Sequence, residues 1–413
     1  MVRWPGLYAV LATAGQSALG GSMQLRRVVR ESRATGVALA ALGVFWGGFA
    51  AQMPVFKLRA GVSDAGLGGL LLLSALGGMA AMAAGPQLQR ALGARALPLF
   101  GVVLAGAALM PLVIGSAVGL GCALLLMGAA MSSLDIAANV RISQREAETD
   151  LPLMNWNHAL FSFGFGAAAV AAGLARAAGA PPEVIQPVFA LILAGAALAM
   201  RDAASSDLAV GGPIATAQTL PVSPWGAVLP AAFILFAAFV AENATETWSA
   251  LHIERDLGGA IGTGAFGPAM LGGMMGLGRL GGQMLAARLG EARLIAGSAM
   301  VGVVGAVVVA VAPVAWVAVL GVALIGAGVA VVVPSANSLL GRKVAPDARA
   351  WAISRAWLLG FTGFFIGPVV MGTIAQRAGL SVAFLAVALV LAAILPGLAR
   401  LLRRAPQRRM PQL

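Results

Sequence analysis

Long uncharged apolar stretches recur along the chain from residue 35 to residue 400, and charged residues separate them. A helix needs about 20 apolar residues to cross a bilayer whose hydrocarbon core is about 30 Å thick. Six stretches of this kind precede residue 201 and six follow residue 224. Transmembrane barrel strands, which alternate over about ten residues, do not fit stretches of this length. The pattern therefore predicts an all-α membrane protein with 12 transmembrane helices in two six-helix, pseudo-symmetric halves.

The predicted spans also set the domain organisation. The first half has spans at residues 35–56, 67–86, 96–115, 117–140, 155–179 and 184–200. The second half has spans at residues 225–249, 262–287, 294–313, 315–340, 351–375 and 381–398. Residues 201–224 mix Gly, Pro, Ser and Thr without periodicity, which is typical of a flexible linker. We predict a cytoplasmic segment at 1–33, bundles at 34–200 and 225–400, a linker at 201–224 and a basic tail at 401–413.

Composition supports the membrane class and argues against several kinds of enzyme. Hydrophobic residues make up 60% of the chain and charged residues 10%, whereas a soluble chain carries about 25% charged residues. The single cysteine, Cys122, excludes a disulfide within the chain and a cysteine-based metal cluster. Two histidines, His158 and His252, do not suit a zinc enzyme. No nucleophile triad or phosphate loop is visible, so we expect no enzyme activity, no cofactor and no metal.

The basic residues predict the orientation in the membrane. The net charge is +12, but the basic residues separate the spans and form no surface patch of the kind that binds nucleic acid. Alternate loops are rich in them, and the remaining loops hold only Lys57, Arg59, Arg176, Arg255 and Arg377. Positive loops stay in the cytoplasm. We therefore expect a multi-pass protein of a bacterial-type inner membrane, with both termini cytoplasmic.

The first residues permit several interpretations. Residues 4–24 are uncharged and moderately apolar, so they suit a signal sequence, an interfacial helix, an extra span or a dispensable extension. They lack a strongly apolar centre and lead into Met23 and an arginine-rich stretch. We therefore favour the extension.

Short sequence matches between the halves indicate an internal repeat. FAAQ ends at Gln52 and FVAE at Glu242, LGGM occupies 76–79 and 271–274, and IAAN ends at Asn139 and PSAN at Asn337. The three matches occur in the same order and at nearly the same offset, which predicts a duplicated six-span unit. Parallel repeats that hold a site between them at mid-membrane are a transporter design. The polar residues at the ends of the matches, Gln52, Asn139 and Asn337, are therefore candidates for substrate binding.

Over residues 26–409 the chain resembles the major facilitator superfamily (MFS), through its six plus six layout, its linker and two basic loops. These loops look like degraded copies of the family's signature loop, and they contain Gly85, Arg90 and Arg95 in the first half and Arg288, Gly290 and Arg293 in the second. The resemblance implies that they steady the closed cytoplasmic face. The family's acidic residue is absent, with Gln89 and Ala287 nearby, so gating must rely on another contact.

Within that superfamily, three motifs look most like the fucose:proton symporter group. They are LDIAAN at 134–139, HALFSFG from His158 and AENATETW at 241–248. The group's characteristic acid on the fourth span is matched by Asp135, and its following asparagine by Asn139. The first span has no carboxylate where the fucose symporter itself has one. The resemblance thus implies proton-linked sugar uptake but does not carry over the same pair of acids.

Asp135 is the first candidate for proton coupling. A charged side chain at mid-bilayer costs about 2.5–3.5 kcal/mol on insertion scales, so such residues are functional candidates. Burial disfavours a charged carboxyl and a nearby cation favours it, so Asp135 can load and release a proton as the cavity opens to alternate sides. A structural hydrogen bond to a neighbouring helix is the alternative. Asn139 lies one helical turn on and suits the binding of a solute with hydroxyl groups.

Glu242 is the second candidate for proton coupling. Glu242 and Glu246 are spaced i to i+4 and therefore share a helix face. We expect Trp248 to anchor the span at the outer interface and Glu246 to lie near water. Glu242 is deeper and occupies the repeat position of Gln52, which favours a proton carrier; a charge in the vestibule is the alternative.

Four further residues complete the predicted site. Arg279 interrupts the eighth span, and we expect it to balance Asp135 or a bound anion; snorkelling to the interface is the alternative. His158 titrates near neutral pH, which suits a proton relay to Asp135, although a capping role fits equally. Trp46 and Phe161 suit stacking on a sugar ring, or packing between helices.

The leading functional prediction is a secondary active transporter that takes up a small polar solute, such as a sugar, together with protons by alternating access. The alternative is a proton-driven exporter of drugs or metabolites. Antiporters of the superfamily carry a Gly and Pro motif on the fifth span, and FSFGFGAAAVAAG has no proline, which argues against export. A membrane enzyme or sensor is a third interpretation. The expected partners are the solute, protons and the lipid bilayer, with no nucleic acid, and the chain is expected to be a monomer.

Overall fold

A computed structural model of the chain describes residues 25–201, 224–345 and 348–403. Three predicted segments fall wholly or partly outside the described residues. They are the N-terminal extension up to residue 24, the linker at 202–223 and the tail from residue 404 onward.

The helices of the first half form spans 1 to 6 in chain order. Span 1 comprises Arg33–Ala50 and Met53–Ala60, span 2 is Asp64–Leu92, span 3 is Ala96–Ala107, span 4 is Ala117–Thr149, span 5 is Leu153–Ala177 and span 6 is Pro182–Ala199. Ser63 and Ser116 begin spans 2 and 4, because each side chain accepts a backbone N–H three residues on, at 3.1 Å.

The second half has the same number of spans. Span 7 is Trp225–Leu251, span 8 is Phe266–Leu289, span 9 is Glu291–Ala310 and span 10 comprises Ala315–Val329 and Val332–Lys343. Span 11 comprises Arg349–Gly360 and the part of Gly363–Ala392 before Gly379, and span 12 is the remainder together with Ile394–Leu402. Gly379 (φ 84°) separates spans 11 and 12, and Gly290 (φ 74°) separates spans 8 and 9, because glycine tolerates positive φ.

Apolar length confirms the predicted fold class. In the described parts of the chain, nine helical stretches are long and apolar enough to cross a membrane. Two of them, Asp64–Val113 and Arg349–Leu402, have 50 and 54 residues and are long enough to cross twice. Span 8 is as long as a crossing, although it carries seven glycines and two arginines. Together these stretches give 12 transmembrane helices in two halves. The terminal side of the bundle is the side where span 1 begins and span 12 ends, and the far side is the opposite one.

Small residues allow the helices to approach backbone to backbone. A Cβ atom on Gly43 of span 1 would lie 2.1 Å from the carbonyl oxygen of Phe161 on span 5. Between spans 2 and 4, a Cβ on Gly77 would lie 1.9 Å from the carbonyl oxygen of Leu125. Lipid supplies no hydrophobic drive between helices, so close packing of this kind stabilises the bundle.

The contact at Gly43 gives a stability prediction. We expect Gly43→Ala to lower the melting temperature of the purified protein, because neither backbone can yield without separating spans 1 and 5. Gly195→Ala on span 6 is the matched control, since a Cβ there meets no atom within 4 Å. Equal melting temperatures for the two variants would contradict the close approach.

Candidate functional site

Three polar side chains from spans 4 and 5 form one end of a buried network. The Asn139 side-chain nitrogen donates to Asp135 Oδ1 and to the Asp135 carbonyl oxygen, both at 2.9 Å. Asn139 Oδ1 lies 3.2 Å from His158 Nε2 on span 5. Residues four apart on a helix share a face, so span 4 presents Asp135 and Asn139 together. The structure thus brings three of the predicted site residues into contact.

Arg279 of span 8 extends the network into the second half. One guanidinium nitrogen donates to the His158 carbonyl oxygen at 3.2 Å and to the Ser162 hydroxyl at 2.5 Å. The other lies 3.5 Å from Glu242 Oε1 on span 7. The carboxylate paired with Arg279 is therefore that of Glu242, whereas Asp135 hydrogen-bonds with Asn139. Arg279 ties both halves together at mid-bundle.

Glu246 is buried, and the expectation that it lies near water was wrong. Its exposed fraction is 6%, and its Oε2 accepts the indole N–H of Trp46 at 3.3 Å. Trp248 is fully buried and is no interface anchor. The physical reason is length: span 7 continues to Leu251 and then through the π turn His252–Asp256, so both side chains lie inside the bundle.

Three other predicted binding residues form no hydrogen bond to this network among the described residues. Gln52 is fully buried at the break in span 1, where its nitrogen donates to the Gly48 carbonyl at 2.9 Å and its Oε1 has no hydrogen-bond partner. Asn337 on span 10 also has an unpartnered side-chain oxygen. Phe161 stacks on Phe165 with ring centroids 6.3 Å apart. Among the described residues, none of these three hydrogen-bonds to the network.

A cavity of about 380 Å³ connects Arg279 with the terminal side. It lies between spans 5, 8 and 10. Its lining residues are Asn155, Gly278, Arg279, Gly282, Ala286, Ala287, Glu291, Val331, Pro334, Ser335 and Ser338. The volume is in the range of small-molecule sites, so a small solute can reach the arginine from this side.

On the far side, charged side chains clamp the two halves together. Arg176 at the end of span 5 binds Glu254 through two bonds of 2.7 and 2.8 Å, and it also donates to the Ala51 carbonyl at 2.9 Å. Glu254 Oε1 accepts the backbone N–H groups of Gly262 and Gly264 at 3.1 and 3.2 Å. Two parallel bonds between arginine and carboxylate fix geometry as well as energy.

A second far-side pair joins span 2 to the end of span 7. Arg255 donates to the two carboxylate oxygens of Asp64 at 2.7 and 2.9 Å, and Lys57 lies 3.0 Å from the same carboxylate. We call the pairs Arg176–Glu254 and Arg255–Asp64 the far-side latch. The sequence prediction used the two arginines for orientation and missed these pairings. The signal that could have found them was the presence of acids in the same loops.

The two basic loops lie on the terminal side. Arg90, Arg95, Arg288 and Arg293 are exposed there, and Gly85 is buried within span 2. Each loop is held by an arginine of another span. Arg141 of span 4 donates to the Gly93 carbonyl at 3.1 Å, and Arg342 of span 10 forms an ion pair with Glu291, which directly follows Gly290. Glu291 thus supplies an acid beside the second loop.

Known proteins share this fold, and relatives share part of the sequence. No protein-family model matches the chain. The chain is 30% identical over 370 residues to an uncharacterised MFS-type transporter of Yersinia pestis, covering 88% of this chain and 94% of the relative. Among solved structures, the nucleoside transporter NupG superposes with a TM-score of 0.68 at 14% identity, covering 90% of this chain and 99% of NupG. A D-xylose–proton symporter superposes with a TM-score of 0.66 at 14% identity, covering 90% and 97%.

Proposed function

Because the chain belongs to the major facilitator superfamily and is a multi-pass membrane transporter, not an enzyme, we propose that it carries a small polar solute together with protons. The observation that carries this proposal is the network across the two halves. It runs from Asp135 through Asn139 and His158 to Arg279 and Glu242. Ionisable groups buried between helices at mid-membrane are where transporters bind ions and solutes.

The chemistry of the network favours a hydroxylated solute such as a sugar. Asn139, His158 and Ser162 offer both donors and acceptors beside Arg279, and Trp46 and Phe161 supply aromatic faces for stacking. Two structural neighbours are named for D-xylose and for nucleosides. The proposal of a sugar as the solute also draws on the resemblance to the fucose:proton symporter group. That resemblance rests on the motifs around Asp135 and His158.

The basic loops predict the side of the membrane to which the cavity opens. We place the terminal side in the cytoplasm of a bacterial-type inner membrane, because positive loops are retained there. With the far-side latch closed and the cavity reaching Arg279 from the terminal side, the conformation is then inward-facing. The bodies that rock are the bundles at residues 34–200 and 225–400.

Proton binding can act on the contact between the halves. When Glu242 takes a proton it loses its charge, and its attraction to Arg279 falls. Arg279 is then held by Ser162 and the His158 carbonyl on the opposite half, or by the solute. Asp135 carries the second proton at the other end of the network. Coupling arises because both sites bias the same rearrangement.

The test of the proposal is lumenal pH in proteoliposomes during addition of hexoses, pentoses, inositols and sugar acids. We expect one or more solutes to acidify the lumen and an uncoupler to abolish the signal. Protein-free liposomes are the control. Silence across the panel with folded protein would overturn sugar symport and favour the exporter of drugs or metabolites.

The ion pair between Arg279 and Glu242 gives a second testable prediction. Arg279→Ala is expected to lower the melting temperature and to stop transport, because it leaves Glu242 buried without its cation. Adding Glu242→Gln removes the stranded charge, so the double variant regains stability but not transport. Full transport by the double variant would show that the pair is structural only.

A further inference from the structure

The polar network holds more negative than positive charge. In the described part of the chain, the carboxyl groups of Asp135, Glu242 and Glu246 belong to it or adjoin it, and Arg279 is the cation within bonding distance. Arg279 lies against Glu242. Buried charges are costly unless they are paired. Two carboxyl groups, those of Asp135 and Glu246, therefore require a positive partner or a proton.

Glu246 has the surroundings of a receptor for an organic cation. The Trp46 indole N–H is the hydrogen-bond donor to this carboxylate, although two carboxylate oxygens accept about four bonds. The exposed fractions of Glu246 and Trp46 are 6% and 8%. Trp46 stacks on Phe49 with ring centroids 5.4 Å apart, which holds the indole whose N–H edge meets the carboxylate. Ammonium groups pair with carboxylates and are also attracted to the faces of indole rings.

A second observation points to the same kind of ligand. Gln52 and Asn243, on the two spans that carry Trp46 and Glu246, each have a buried side-chain oxygen without a hydrogen-bond partner. The nitrogen of Gln52 is committed to the Gly48 carbonyl at 2.9 Å, so its free atom is an acceptor. Buried acceptors without donors are uncommon in folded proteins. These two oxygens thus lack donors, and Glu246 lacks a cation within bonding distance among the described residues.

We infer that the transported solute carries a protonated amine in addition to hydroxyl groups. The ammonium group binds Glu246 at the acceptor positions that the Trp46 indole N–H leaves open, and the hydroxyl groups face Asn139 and His158. The inference rests on the proposed transport function and names its substrate class. Asp135 and Glu242 carry the two protons and Glu246 binds the amine, so each cycle moves about three elementary charges per solute, one on each of these groups.

Matched sugar pairs test the inference directly. Glucosamine is compared with glucose and N-acetylglucosamine, and galactosamine with galactose and N-acetylgalactosamine, by radiolabelled uptake and charge movement in proteoliposomes. We expect uptake of an amine, with about three charges per solute, and at least tenfold less uptake of its neutral counterparts. Glu246→Gln is expected to abolish this preference. Glu148→Gln, an exposed acid at the terminal end of span 4, is the matched control and should leave it unchanged.

Each alternative result has a distinct meaning. If the neutral sugars and the amino sugars are taken up equally, both with protons, the amine site is wrong and proton-coupled sugar transport stands. If no sugar moves and no proton flux appears with folded protein, both proposals fail. If Glu246→Gln does not fold, the test is the thermal stability of the wild-type protein with each sugar added. Stabilisation by glucosamine or galactosamine, but not by its neutral pair, supports the amine site, and equal stabilisation overturns it.

Discussion

Asp135→Asn is expected to reduce solute-driven proton movement strongly while solute binding persists. Asparagine has nearly the shape of aspartate and can keep a bond to Asn139, but it cannot carry a proton. Coupling free energies between two sites are typically about 1–3 kcal/mol, so we expect lumenal acidification to fall by about 5- to 150-fold. The measurement is lumenal pH, with solute exchange at equal concentrations on both sides as the readout of binding.

Glu148→Gln on the same span is the control for Asp135→Asn. The Glu148 side chain is 61% exposed and pairs with Arg145, away from the network. It should leave both acidification and exchange at wild-type rates. Undiminished acidification by Asp135→Asn would instead assign Asp135 to a structural hydrogen bond.

Breaking the far-side latch is expected to open the protein toward the far side. Arg176→Ala removes a bidentate charged pair, and hydrogen bonds to charged groups contribute about 1.5–3 kcal/mol each. The conformational equilibrium should shift by about tenfold or more. In a Cys122→Ser background, Ala172→Cys places a thiol at a fully buried position of span 5. Its labelling by a membrane-impermeant maleimide should rise when the latch is broken.

Arg59→Ala is the matched control for the latch. Arg59 binds Glu183 through two bonds of 2.6 and 3.1 Å on the same side of the bundle, but both residues belong to the first half. Its loss should leave the labelling rate at position 172 unchanged. If Arg176→Ala also leaves that rate unchanged, the latch does not hold the far side closed.

The twelve spans follow from the sequence because the bilayer imposes one requirement on all of them. Every backbone polar group must be satisfied within the membrane, so apolar stretches of sufficient length become helices. Span 8 is not among the nine described stretches that are long and apolar enough to cross, yet the charged residues that bound it predict its position. The fold could therefore be predicted from length and polarity alone.

Some of the site residues could be predicted from the sequence. Charges inside apolar stretches identified Asp135, Glu242 and Arg279, since such residues are rare in membrane spans. The partners of these residues could not be predicted. Hydropathy gives the depth of a residue in the membrane, but it does not give the neighbouring helix that its side chain faces. Arg279 was assigned to Asp135 or an anion, and the structure pairs it with Glu242.

Burial was misjudged where a helix extends beyond the apolar stretch. Trp248 has the composition of an interface residue, but span 7 continues past it, and both it and Glu246 are buried. The latch residues were missed for a related reason. Loops that are far apart in sequence meet only after the halves pack, so the acids in these loops do not show in the sequence which arginine each of them binds.

The most direct test of rocking about the central network is a pair of distances measured by spin labelling in lipid nanodiscs. In the Cys122→Ser background, labels at Leu58 and Ile261 report the far side, and labels at Glu148 and Leu289 report the terminal side; all four side chains are exposed. Rocking predicts that solute and acidic pH lengthen the far-side distance and shorten the terminal-side distance together. If both distances stay fixed, or change in the same direction, in protein that transports, alternating access by the two halves is wrong.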